Sequence, residues 1–556
     1  MGSCRRVAVL LLAALASGLL TAPSALAAPV FVFTGKGWGH GIGMSQYGAQ
    51  GFAQHGFTYD EILAHYYEGS AFSDPQPNDF VGVLLATGRS ALAVGSDAAF
   101  EISGQPFAPG QYTVTPRPGA VVVSRSGTTR TFSSPATFFP GAEDLELGGL
   151  PYRGRLVVAS SEAGSSLAVL NRVRRESYLR GVVPREMPSS WLAEALQAQA
   201  VAARSYAFAT GGHCLWLGGE PVFCPDTRDQ VYGGKSAETA ATNAAVQATA
   251  GEVVTHAGQI ATTYFFSTSG GKTAAKSDEW GGGPVPYLVS VVDPHDSISP
   301  HHAWGPEDAE VDCPGTSADC VFTAAQIRTA LGLAQSPLDL QVTARNSSSR
   351  VSSLEARGAT ATTTFSGSAA RADLGLRSTW FNVGVLSVTS SVPTVTYGGS
   401  VTLSGLARSG GTSGWGAADL QRKRSGEAGW TRIATALPDG SWSRVVKPIV
   451  ATDYRVVSGN AAGAASRVSV RTRVTISTPQ APHTKLSGSI GPARSGIAVT
   501  LQRMRRDGTW AFSARTQTGE SGAFSFALSR LGTYRVRADA GAGYLRGSAR
   551  VTLPPV

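Results

Sequence analysis

Cysteine is rare in this chain, with five in 556 residues. Cys4 lies ahead of an N-terminal apolar run, which excludes it as a lipid acceptor at a cleavage point. The other four, Cys214, Cys224, Cys313 and Cys320, form two close pairs, and an even number in an exported chain predicts disulfides Cys214–Cys224 and Cys313–Cys320. Neither pair has zinc-knuckle spacing, so zinc, with His213 beside Cys214, is the weaker alternative. Past the N-terminal run no stretch of about 18 apolar residues occurs, so no transmembrane anchor is expected. His-Glu-x-x-His, a nucleophile elbow and a papain-like cysteine environment are all missing. The glycine-rich loop near the N-terminus lacks the Gly-Lys-Ser/Thr ending of a phosphate loop.

Acidic residues are scarce in one region only. Residues 385–556 hold 22 Lys+Arg against 7 Asp+Glu, whereas residues 28–384 hold 23 against 31. The formal charge of +9 is thus a basic tail on an acidic body. For an exported protein such a tail points to anionic cell-wall polymers as partner rather than nucleic acid. Export itself is read from Arg5-Arg6, the apolar run Val7–Leu20 and the small-residue site Ala25-Leu26-Ala27, giving a signal peptide over 1–27 and a secreted, cell-wall location.

Along the chain, a strand at Phe31–Phe33 leads into Gly-Trp-Gly-His40-Gly-Ile-Gly-Met-Ser45-Gln46-Tyr47, then helical pieces with Thr58 and Glu61 as a capping box. Glycines around His40 permit close backbone approach to a ligand. Short Val/Leu runs at Phe80–Leu85, Tyr112–Val114, Ala120–Val123, Leu156–Val158 and Leu167–Leu170 have strand spacing. Tyr178–Val183 reads as an apolar strand, followed by a turn in which Pro184 and Pro188 bracket Glu186. Trp191, Leu192, Ala195, Leu196, Ala202, Ala203 and Tyr206 then recur at helical spacing, on a helix whose Gln199 and Arg204 need partners. Further helices are expected over Ser236–Ala250 and Thr323–Leu331, and strands at Val253–Val254 and Ile260–Phe266. His295, Asp296, His301 and His302 are a weak metal-binding candidate on a polar loop. After Phe381 two copies of about 80 residues follow, Val401-Thr-Leu-Ser-Gly405 being echoed by Lys485-Leu-Ser-Gly488 and Ala418-Asp-Leu-Gln-Arg422 by Val499-Thr-Leu-Gln-Arg503.

The fold expected is therefore α+β: a mixed, β-rich catalytic body over 28–384 with a few helices, then two all-β immunoglobulin-like sandwiches over 385–475 and 476–556. Four stretches of the body, residues 178–206, Ser267-Thr-Ser-Gly-Gly271, Pro286–Asp296 and Gly39-His-Gly-Ile-Gly-Met-Ser-Gln-Tyr-Gly-Ala49, together resemble the SpoIID/LytB family of cell-wall proteins. That resemblance implies lytic transglycosylase activity on the MurNAc–GlcNAc bonds of peptidoglycan glycan strands, with Glu186 as the single acid/base, 1,6-anhydro products and no cofactor. The alternative it leaves open is a non-catalytic, glycan-binding enhancer of a separate amidase. His40, Ser45, Gln46, Tyr47, Gln199, Arg204, Ser267 and Ser269 are the expected substrate-binding residues, and no metal ligand is expected. In better-known members the Gly-His-Gly motif follows the Ser-Thr-Trp-Phe-like ending, whereas here it lies at 31–69, ahead of the 80–384 body. This looks like a circular permutation, which predicts that residues 31–49 pack beside Leu374–Phe381 and face Glu186.

Overall fold

The computed structural model describes residues 28–73, 76–305, 320–410, 417–477 and 484–553. The expected signal peptide and Cys313 lie outside these residues. Chain contacts divide the molecule into Val32–Val383 and a second unit of Gly384–Val556 with the chain's first residues through Phe31.

In the first unit the five expected strands run Phe80–Arg89, Gly110–Arg117, Ala120–Arg125, Arg155–Ser160 and Leu167–Arg174. Shorter strands between them, among them Leu92–Ser96 and Ala136–Phe139, complete two six-stranded sheets. Alternate side chains of both sheets, including Val94, Ile102, Phe138, Leu156 and Val158, form a shared core.

The helical part begins with α1 (Gln46–Gln54) and α2 (Tyr59–Tyr66). Ser45 caps α1, its hydroxyl accepting from Gly48 N–H at 3.1 Å, and the Glu61 carboxylate accepts from Thr58 N–H at 2.9 Å. The Tyr178–Val183 stretch corrects the strand expectation: α3 spans Arg175–Glu186. Tyr178, Leu179, Val182 and Val183 are buried, which is helical spacing hidden inside an apolar run. Pro184 is accommodated because it sits in the last turn, where the missing N–H removes one bond only. Glu186 consequently ends a helix instead of riding a turn.

Helix α4 (Ala193–Ala209) is the hub. Ala195, Ala198 and Ala202 meet a core containing Phe52, Ile62 and Tyr66 from α1 and α2, while Ala200 and Ala203 meet Tyr178 and Val182 of α3. Small side chains on two faces let neighbouring backbones approach from both sides. Downstream, α5 (Ala240–Ala248) starts later than expected, because Thr239 caps it after a 3-10 turn at Lys235–Ala237. The expected strand Ile260–Phe266 is two short pieces, Gln259–Ile260 and Phe265–Phe266. After α6 (Lys276–Trp280) and α7 (Ala324–Ala330), α8 (Gly367–Leu374) is a helix the sequence reading missed, although its signals, a capping Ser366 and a left-handed Gly375, are present.

In the second unit each repeat places its Leu-Gln-Arg strand beside its Tyr-Arg-Val strand. Gln421 lies opposite Arg455 and Gln502 opposite Arg535.

The alanine surfaces of α4 set a size limit. Ala198→Leu is expected to destabilise the protein by about 1–3 kcal/mol through overpacking, read as a lowered thermal midpoint.

Candidate functional site

Short pairings hold the glycine-rich loop in place. Met44–Ser45 runs parallel to Phe265–Phe266, Trp38 bridges to Thr268, and Tyr47 N–H donates to Ser267 O at 3.0 Å. Gly41 has φ +84, and a side-chain carbon there would meet the Arg350 guanidinium at 2.6 Å, so glycine is required. The same segment lies beside the end of the body: Lys36 N–H donates to Trp380 O at 2.9 Å and Gly39 N–H to Arg377 O at 3.0 Å.

Beneath the loop, Asp296 is fully buried and accepts from Ser45 Oγ at 2.7 Å, Thr268 Oγ1 at 2.6 Å, Ser269 N–H at 3.0 Å, Gly270 N–H at 2.9 Å and His302 Nδ1 at 3.1 Å. Burial opposes its ionisation, but these donors outweigh it and hold its pKa below the usual aspartate value. Asp293, bonded to Ser269 Oγ at 2.8 Å, is pushed up to about 7 by burial and then by the charge of Asp296.

Above this lies a groove of about 860 Å³ whose lining includes His40, Gln46, Glu186, Asp229, Trp280 and Arg371. Glu186 Oε1 accepts from Val231 N–H at 2.8 Å, and Gln46 Nε2 lies 3.4 Å from Oε2. Burial raises the Glu186 pKa, while the Val231 N–H, Gln46 and nearby Arg185 restrain the rise. Its place at the negative end of α3 acts in the same direction as burial.

His40 is neutral, its pKa lowered to about 3 by burial first and then by the Arg371 charge. Ile42 N–H donates to Nδ1 at 3.1 Å, and Nε2 donates to Phe265 O at 3.1 Å. Both ring nitrogens are therefore engaged, Nδ1 within the loop and Nε2 on the Phe265–Phe266 strand, and what His40 offers the groove is a ring face, 4.9 Å from the ring of half-exposed Trp280.

Several expected contact residues are buried in the body instead of lining the groove. Ser45, Gln199, Arg204 and Ser269 are all fully buried. Ser45 and Ser269 join the aspartate pair, and Gln199 Oε1 lies 3.4 Å from Gln46 Nε2. Arg204 clamps Glu176 through two bonds, at 2.8 and 2.9 Å, away from the groove. Ser267 lines the groove, and Tyr47 packs on Trp191 at 4.9 Å. The candidate histidines separate: His302 serves Asp296, His301 packs on Trp38 at 4.6 Å and His295 stacks on His55 at 3.9 Å.

The sequence reading missed a second polar group. Cys214 and Cys224 form a disulfide, closing a loop beside Asp229. The Asp229 carboxylate accepts from Cys224 N–H at 2.7 Å, Tyr206 OH at 3.0 Å and His213 Nδ1 at 2.6 Å, leaving the largely exposed His213 ring at the groove. Cys320 is also disulfide-bonded. An acid near a disulfide was the available signal, but the sequence separation of 16 between His213 and Asp229 conceals their pairing.

Residues 163–256, which carry α3, Glu186, α4 and the disulfide loop, match the family described as SpoIID, Stage II sporulation protein. The chain carries a SpoIID-family segment. Over 127 residues it is 41% identical to a protein named Amidase enhancer from Bacillus subtilis (strain 168), covering 23% of this chain and 16% of that protein. Over 176 residues it is 34% identical to Stage II sporulation protein D of the same organism, covering 28% of this chain and 46% of that protein. An uncharacterized protein of Brachyspira hyodysenteriae is 36% identical over 155 residues, 28% of this chain and 40% of that protein. The chain thus spans less than half the length of each of these relatives. No helix among the described residues is long and apolar enough to cross a membrane. The SpoIID-family segment supplies Glu186, whereas His40 and Gln46 reach the groove from outside it.

Two outcomes follow from these charges. Asp296→Asn is expected to cost about 3 kcal/mol at neutral pH, and the wild-type advantage shrinks as pH falls through the depressed pKa of Asp296, checked by denaturant unfolding across pH. Glu186 has the opposite sign: its raised pKa weakens folding as pH rises, so Glu186→Gln is expected to be at least as stable as wild type at pH 8, with any gain vanishing below about pH 4.

Proposed function

We propose that this protein is an exported peptidoglycan lytic transglycosylase that cleaves MurNAc–GlcNAc bonds with Glu186 as its only acid/base. The observation that carries the reading is the Glu186 carboxyl: desolvated in a groove, raised in pKa, and held by two donors. Burial favours the protonated acid needed to donate to the bridging oxygen as the C1–O bond breaks. Val231 N–H and Gln46 then stabilise the carboxylate left behind. That carboxylate takes the proton of the MurNAc C6 hydroxyl while O6 bonds to C1, giving a 1,6-anhydro end and restoring the acid. The substrate provides the nucleophile, so a second catalytic carboxylate is not required. Trp280 and the His40 ring face offer apolar surfaces for pyranose rings. Asp229, engaged by Cys224, Tyr206 and His213, orients the His213 ring toward sugar hydroxyls.

In the same reading the glycine-rich loop is a permuted family motif, and the two C-terminal repeats are immunoglobulin-like, wall-binding sandwiches. The second reading, a non-catalytic glycan-binding enhancer of a separate amidase, is favoured by the relative named Amidase enhancer.

Incubation of the purified protein with glycan strands separates the two. The enzyme reading expects 1,6-anhydro products by mass spectrometry, a rate that falls as pH rises through the Glu186 pKa, and a loss of about 10²–10⁴-fold in Glu186→Gln. Absence of products at high protein concentration, with stimulation of an added amidase, contradicts it.

A further inference from the structure

The two C-terminal repeats share a scaffold but differ in how its outward charges are balanced. In each, an arginine opposite a strand glutamine bonds that glutamine and covers a tryptophan. Arg455 Nε donates to Gln421 at 3.0 Å and its guanidinium lies 4.2 Å from the Trp430 ring centre; Arg535 Nε donates to Gln502 at 3.0 Å and lies 4.4 Å from Trp510. In the first repeat two aspartates on these strands take up neighbouring arginines, Asp419 with Arg432 at 2.9 Å and Asp453 with Arg467 at 3.3 Å. At the corresponding positions of the second repeat stand Thr500 and Thr533.

The second repeat's sheet runs Trp510–Gln517, Ala498–Met504, Gly532–Ala538 and Gly547–Leu553 in spatial order. Tyr534, Val536 and Ala538 face the core, so Arg535 and Arg537 face outward. Arg550 lies directly opposite Arg535 and also covers Trp510, at 5.2 Å. Beside them stands Phe512, 68% exposed. Like charges directly opposite each other on adjacent strands destabilise a sheet. Burial, then the charges of Arg537 and Arg550, lower the Arg535 pKa. A repulsive guanidinium cluster around aromatic rings, on a scaffold that is neutralised one repeat earlier, is suited to an external anion.

We infer that this sheet face, centred on Arg535, Arg537, Arg550 and Trp510, is the binding site for an anionic cell-wall polymer carrying repeated phosphodiesters or carboxylates. The guanidiniums supply planar donors to successive anionic groups, and Trp510 and Phe512 pack on the backbone between them. That the polymer is of the wall rests on the proposed function; that the face takes a polyanion does not.

The test is co-sedimentation of the full-length protein with purified wall sacculi over a salt series. Arg535→Gln/Arg537→Gln/Arg550→Gln is expected to weaken binding about tenfold or more and flatten its salt dependence. Thr500→Asp/Thr533→Asp, which copies the first repeat's acids and removes no arginine, is expected to weaken binding in the same direction; it serves as the readout if the triple variant fails to fold. Both variants should cleave soluble glycan strands at the wild-type rate, so failure here is separable from failure of Glu186 as acid. Sacculi stripped of phosphodiester polymers by hydrofluoric acid identify the source: lost binding assigns phosphodiesters, retained salt-sensitive binding assigns carboxylates. Wild-type binding by the folded variants overturns the site, and equal competition by double-stranded DNA overturns the assignment to a wall polymer.

Discussion

The aspartate beneath the glycine-rich loop is the constraint on which the groove depends. Asp296 gathers a hydroxyl from residue 45, a hydroxyl and two backbone amides from residues 268–270, and an imidazole from residue 302. Each donor is a group that could not be buried without a partner, and the carboxylate could not be buried as an anion without them. The network sets the position of Ser45, which caps α1, and the next residue is Gln46, whose amide reaches Glu186. The chain from a buried charge to a candidate acid thus runs Asp296, Ser45, Gln46, Glu186, four residues of which only the middle two are neighbours in sequence.

Glu186 is governed by opposing influences, of which burial prevails. Burial and the end of α3 favour its protonated form, while Val231 N–H and Gln46 favour its carboxylate. A group meant to donate a proton and then accept one needs the acid favoured at rest and its carboxylate still stabilised by donors. His40, by contrast, is removed from proton transfer by its backbone partners, since both nitrogens are already paired. Its contribution is shape: a neutral ring that completes an aromatic wall with Trp280.

Much of the architecture was legible because local signals agree with tertiary structure. Strand alternation in 80–170, the Thr58–Glu61 box and the alanine-rich α4 all reappear at or near their expected bounds. The failure at Tyr178–Val183 is informative: a continuous apolar run cannot separate strand from buried helix, and two prolines tipped the reading toward a turn. At the site, residue types were readable but their orientation was not. Ser45, Gln199, Arg204 and Ser269 are polar residues placed near Glu186 by motif, yet each faces inward to satisfy a buried group. Asp229 was passed over, and His213 was weighed only as a zinc ligand, because their pairing, and their approach to the groove, arise only when the disulfide loop closes beside α4.

Titration of Glu186 itself decides whether it is the proton donor. With carboxyl-¹³C-labelled glutamate, and Glu186→Gln to assign the signal, the Glu186 resonance is expected to titrate above the ordinary glutamate range of about 4.3. A midpoint at or below that range would show a solvated or over-stabilised carboxylate and contradict its role as the proton donor.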